Sequence, residues 1–111
     1  MKGESLKGHL DLLVLAVVAD GPLHGYAVIE SLHRRSGEAF DLPEGTVYPV
    51  LHRLERAGLL ASDWETHAGR RRRVYRLTDQ GRAALAEERA AWAEFAAAVT
   101  SVIRGPRWQP T

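Results

Sequence analysis

The chain is predicted to be mainly α-helical with a small β-hairpin, and three observations carry that prediction. Gly45–Leu60 reads as an amphipathic helix that stops at a glycine. About ten residues later an arginine run, Arg70–Arg73, falls inside a pattern of two short strands. Nine alanines between Ala83 and Ala98 then favour one long final helix. A short polar-faced helix, a basic hairpin and a long helix in that order make a winged helix-turn-helix with a helical extension.

Each element has its own local signal. Leu6, Leu10, Leu13 and Val17 recur at helical spacing, and Leu12, Val14, Leu15 and Val18 thicken the stripe, so a first helix is expected over Leu6–Ala19. Its second half is apolar nearly all round and should be buried on two sides. A domain this small has trouble covering such a helix alone, which is a first hint of an oligomer. Asp20-Gly21-Pro22 ends it. A second helix is expected over Gly25–Arg35, with Tyr26, Ile29, Leu32 and His33 on one face, closed by Ser36-Gly37. Phe40–Pro43 is a connector. The third helix runs from Glu44 to Ala57 with Val47, Val50, Leu51 and Leu54 facing in, Pro49 early in it and Gly58 as its stop. Leu60–Thr66 reads as a strand, His67-Ala68-Gly69 as a turn and Arg72–Thr78 as the returning strand, with Arg70–Arg73 at the hairpin tip. Trp64 is expected to pack in the hairpin or the core. Thr78-Asp79 caps the last helix, Asp79–Ile103, and Arg104-Gly105-Pro106 breaks it.

Composition narrows the function classes. A length of 111 residues fits one compact domain with one modest core. The absence of cysteine excludes a disulfide framework, a thiolate zinc site and a thiol nucleophile, and fits a cytoplasmic protein. The apolar run Leu10–Ala19 contains Asp11 and is too short to span a bilayer, so it reads as a buried helix and no membrane is expected as partner. The five histidines never fall four apart, so no helical metal site is expected. Carboxylates are scattered and no serine has a plausible base, so the reading is a non-enzyme without cofactor.

The net charge of +1 says little, but its distribution says more. From His52 to Arg76 seven arginines face three acidic residues, whereas Asp79–Ile103 carries two basic and four acidic residues. In the third helix the inward set leaves Thr46, Tyr48, Pro49, His52, Arg53 and Arg56 outside. A helix of this kind reads a major groove with its exposed face. Thr46 and Tyr48 lie near its N-terminus, where backbone donors favour a phosphate. His52 and Arg53 lie a turn further on, within reach of base edges, and Arg56 is better placed for the backbone. The arginine run supplies a second contact, to phosphates or a minor groove, or else serves only as a solubilising tip.

Together these residues resemble the PadR family of bacterial transcriptional regulators. The resemblance rests on Gly45-Thr46-Val47-Tyr48-Pro49-Val50-Leu51-His52-Arg53-Leu54-Glu55, on Gly58-Leu59, on Trp64, on Arg73-Val74-Tyr75-Arg76-Leu77-Thr78-Asp79-Gln80-Gly81, and on His24-Gly25-Tyr26. It covers residues 6–90. It implies a winged-helix DNA-binding domain over 1–78 and a C-terminal dimerisation helix over 79–103; the break after that helix leaves 104–111 as an expected disordered tail. It also implies a homodimer on two-fold related half-sites of double-stranded DNA, and a repressor that lets go on sensing a small molecule or stress. Through it Thr46, Tyr48, Pro49, His52 and Arg53 map to the recognition helix, Tyr26 to a backbone contact, and Arg71, Arg72 and Arg73 to the wing. The single short C-terminal helix is similar to the smaller members of the family. The dense arginine run departs from the Gly/Pro-containing wing of many relatives.

The last helix adds a seam. Leu85, Trp92, Phe95, Val99 and Val102 follow a seven-residue pattern with Glu88 interrupting it, which marks where the helix leaves its own domain. The expected dimer interface is therefore Leu6, Leu10, Leu13, Trp92, Phe95, Val99 and Val102. Trp92 is either a packing residue there or a platform for a small planar apolar effector. The leading expectation is a ligand-responsive, sequence-specific DNA-binding regulator. The alternatives are a winged-helix protein-interaction module and a ligand-carrier dimer.

Overall fold

The computed structural model describes Leu6 and residues 8–106; Trp108 and most of the expected tail lie outside the described residues. The element order is α1 (Leu10–Val18), β1 (Leu23–His24), α2 (Gly25–Arg35), α3 (Glu44–Arg56), β2 (Leu60–His67), β3 (Arg70–Leu77) and α4 (Asp79–Arg104). The expected fold class holds. Among the described residues no helix is long and apolar enough to cross a membrane.

α1 starts at Leu10 rather than Leu6. Gly8 takes a φ of +93° and breaks the helical path, leaving a turn closed by the His9 amide on the Leu6 carbonyl at 2.8 Å. Val14, Leu15, Val17 and Val18 are all buried, as an all-round apolar half-helix requires. α1 is the central rod, with α2, α3, α4 and β3 packed round it. The buried stripe of α2 is Gly25, Val28, Ser31 and Leu32, not the Tyr26-centred face expected. The polar Ser31 hides that stripe in the sequence, while Tyr26 stands 53% exposed.

α3 buries Val47, Val50, Leu51 and Leu54, the expected four. It ends in a Schellman arrangement: Gly58 N–H donates to Glu55 O, and Leu59 N–H to Leu54 O, both at 3.0 Å, with Gly58 at φ +81°. The hairpin that follows is tighter than expected. Ala68 and Gly69 alone make the turn, at φ +52° and +77°, and the ladder runs to the His67–Arg70 pair. Ala68 holds that conformation at a cost of about 1 kcal/mol. The arginine run is therefore strand, not tip. A third strand joins the pair: β1 sets Leu23 against Tyr75 and His24 against Val74, in the order β1-β3-β2. Two residues carry no periodicity, so the sequence could not announce it.

Thr78 ties the hairpin to α4. Its hydroxyl accepts from Gly81 N–H at 3.0 Å and donates to Gly58 O at 2.7 Å. α4 buries only Gly81 and Leu85, then projects, which accounts for a molecule 71 Å long and 28 Å across.

Candidate nucleic-acid interface

α3 is amphipathic by construction. At 100° per residue the buried Val47, Val50, Leu51 and Leu54 centre on one side, so Gly45, Pro49, His52 and Arg56 point directly away. Thr46 and Arg53 fall on one flank of that outer strip, Tyr48 and Glu55 on the other. The structure brings the second flank to the wing. Between the start of α2, α3 and the hairpin lies an open groove of about 430 Å³ bounded by His24, Gly25, Tyr26, Tyr48, His52, Trp64, Arg72, Arg73 and Tyr75. It continues past Glu55 and Arg56. Of the sequence-predicted residues, Tyr26, Tyr48, His52, Arg72 and Arg73 thus share one hollow.

Gly25 makes room for this. A Cβ there would collide with the Tyr48 ring, so glycine lets the phenol lie over the start of α2. Burial pushes the Tyr48 and Tyr75 hydroxyls above the usual phenol range, which keeps both as neutral donors. Burial, and then the Arg72 charge, hold His24 below the ordinary imidazole value, so it stays neutral near pH 7.

The first flank differs from the expectation of a free side chain. Arg53 donates from Nη1 and Nη2 to the two carboxylate oxygens of Asp11 on α1, at 2.9 and 2.6 Å. Those bonds, more than the opposing burial, raise its pKa further. Arg53 is still half exposed, but its fork is occupied.

Strand alternation divides the arginine run. Arg71 and Arg73 share the side of the sheet that carries Trp64, Tyr75 and Leu77; Arg70 and Arg72 take the other. Arg72 pairs with Glu65 at 3.1 Å. Its Nε is buried without a partner. Arg73 donates to Ser62 at 2.6 Å and lies 3.5 Å from Glu55. Among the described residues Arg56, Arg70 and Arg71 form no ion pair, so the outer strip of α3 and the wing end carry unpaired cations, as Arg34 on α2 and Arg82, Arg89 and Arg104 on α4 also do. Of the two places expected for Trp64 the structure rules out the core: the ring is 56% exposed, lines the groove and packs within the hairpin against Arg71 and Arg73. Its register opposite Arg73 was the available signal, and only the pairing reveals it.

The expected dimer set is also divided. Leu6 is 5% exposed and belongs to the core of its own chain, as does Leu85. Leu13 borders a small recess against α2 and Phe40. Leu10 is half-buried against the core. Trp92 meets His9 edge-on at 5.2 Å and Phe95 at 6.0 Å. Phe95, Val99, Val102 and Ile103 are exposed along α4.

Comparison with known proteins agrees with this geometry. Residues 14–87 match the model of the transcriptional regulator PadR-like family. The chain is 46% identical over 85 residues to the transcriptional regulator Rv3488 of Mycobacterium tuberculosis, covering 77% of each. Its fold is similar to that of a PadR family transcriptional regulator from Eggerthella lenta, with a TM-score of 0.81 and 34% identity over 93% of this chain and 88% of that one. A PadR-like transcriptional regulator from Bacillus cereus gives a TM-score of 0.80 at 25% identity, over 94% of this chain and 100% of the other. A winged helix matched to the family model from α1 through the hairpin into α4 places the chain in the PadR-like family of transcriptional regulators.

Proposed function

We propose that the chain is a sequence-specific DNA-binding repressor that works as a homodimer and responds to a small effector. The observation that carries the reading is the groove itself. It joins the outward strip of α3 to a wing on which, among the described residues, Arg70 and Arg71 keep their charge free of any carboxylate while Arg72 and Arg73 are paired, a shape and charge suited to one duplex. In this reading Pro49 and His52 face base edges, with Thr46 and Arg53 on one flank and Tyr48 on the other. Tyr26 contacts the sugar–phosphate backbone from α2, and the wing contacts the neighbouring backbone. Residues 1–78 form the DNA-binding unit and 79–103 the dimerisation helix. The exposed seam of Phe95, Val99 and Val102, with Trp92, calls for a second copy. Trp92, 45% exposed beside His9, offers an apolar face to a planar effector.

The test is a shift assay with duplexes from the region upstream of the chain's own gene, repeated across a salt series. Preferred sequences with two half-sites about 34 Å or slightly more apart, and binding that weakens steeply with salt, are expected. No preferred sequence, together with a stable protein partner that binds α3, would replace this reading with the interaction-module one.

A further inference from the structure

Trp64 is a large apolar side chain that the core leaves outside, 56% exposed on the groove side of the wing. It lies opposite Arg73 and diagonal to Arg71. The guanidinium carbons of Arg71 and Arg73 stand 4.9 and 5.2 Å from its ring centroid. What else holds the two arginines differs. Arg73 Nε donates to Ser62 Oγ at 2.6 Å, Ser62 donates to Glu55 Oε2, and Arg73 Nη2 is 3.5 Å from that carboxylate. Glu55 lies in the last turn of α3, so this relay ties the hairpin to the recognition helix. Arg71 is exposed, and among the described residues no carboxylate pairs with it.

We propose that Trp64 and Arg71 form a preorganised contact for the sugar–phosphate backbone of the duplex strand that crosses between α3 and the wing. Arg73 is a positioning residue that fixes the wing against α3. The proposal rests on the DNA-binding reading above and assigns each wing residue its part. Stacking uses only the face of a guanidinium and leaves its in-plane N–H edges free for phosphate oxygens. An arginine already held on an indole also has less rotamer freedom to lose on binding. The uncovered part of the indole offers apolar surface to a deoxyribose. Arg73 has committed donors to Ser62 and has its charge compensated by Glu55, so it has little left for a phosphate.

The experiment uses the full chain and its preferred duplex, with affinity measured from about 50 to 200 mM salt. Arg71→Ala should weaken binding about tenfold and reduce the log–log salt slope by about one. Trp64→Ala should weaken binding about threefold, Trp64→Phe should recover most of it, and Trp64→Ala should add little on top of Arg71→Ala. Arg73→Ala and Glu55→Gln should both weaken binding with the slope unchanged. A phosphate-contacting Arg73 would instead bind more tightly once freed by Glu55→Gln, and its own removal would lower the slope; either result overturns the assignment. So does a folded Trp64→Ala protein with wild-type affinity and slope. If the wild-type chain prefers no duplex, it is the DNA-binding reading that falls, and this inference with it.

Discussion

The two ends of this molecule expose opposite chemistry. Around α3 and the wing the outward side chains are, Trp64 apart, mostly charged or polar, and several are locked together: Arg73 with Ser62 and Glu55, Arg72 with Glu65, Arg53 with Asp11. Along the far half of α4 four large apolar side chains, Phe95, Val99, Val102 and Ile103, stand exposed. Trp92 at least has His9 against it. The first region is finished within one chain, its groove formed before anything binds. The second is an apolar seam left uncovered within one chain, where side chains 37–81% exposed each leave on the order of 1 kcal/mol of burial unrealised. A preformed polar groove needs only its ligand, whereas an uncovered apolar seam needs another protein surface.

Breaking the second region should have the largest effect. Phe95→Asp places a charge in the proposed dimer seam. Sedimentation should then report a monomer, and binding to a two-half-site duplex should fall at least about 100-fold, because the second half-site is no longer delivered at high effective concentration. Binding to an isolated half-site should be nearly unchanged, since the groove is complete in one chain. A Phe95→Asp protein that remains dimeric would remove the seam from the interface.

The junction of the two regions gives the next effect. Gly81 sits where α4 leaves the hairpin, and a Cβ there would collide with the Leu59 carbonyl and the Leu77 side chain. Since one of those atoms is backbone, relaxation is difficult. Gly81→Ala should cost about 2 kcal/mol and lower the melting temperature by about 10 °C. Gly45→Ala is the control: nothing lies within 4 Å of a Cβ there, and its melting temperature should hardly move. Equal responses would mean that α4 is not seated on the hairpin through Gly81.

The sequence made the two regions unequally legible. Periodicity and caps located α2, α3, the hairpin and α4 to within a residue or two, because those signals are local: the inward four of α3, the Gly58 stop, the Thr78 cap. What was missed depends on partners. β1 exists only through Tyr75 and Val74 of a strand about 50 residues away. α1 loses its first turn to the conformation of Gly8. The arginine run looked like one patch until a two-residue turn put it in register and split it between two faces. Trp64 could be placed only in the hairpin or the core, and its neighbours in the ladder put it in the hairpin, facing the groove. On α4 the seam was legible as a seven-residue pattern, but the pattern alone could not separate Leu85, which its own chain buries, from Phe95, which it does not.

The smallest expected effect concerns the residue pair that links the two regions. Asp11, in the first turn of α1, holds both ends of the Arg53 guanidinium. Two residues earlier His9 meets Trp92. One end of α1 therefore touches α3 and the start of the apolar seam. The pair is about half exposed, so its loss should cost no more than about 1 kcal/mol in folding, and a cycle of Asp11→Asn, Arg53→Ala and the double variant should show that energy as a non-additive part. DNA binding distinguishes two roles for Arg53. If it reads the duplex, Asp11 competes for it, and Asp11→Asn should raise duplex affinity by about threefold while Arg53→Ala reduces discrimination between sequences. If Asp11→Asn instead weakens binding as much as Arg53→Ala, the pair is a strut holding α3 on α1, and Arg53 leaves the set of reading residues. The first outcome is expected, because Arg53 remains about half exposed beside the outward strip of α3 despite its bonds to Asp11.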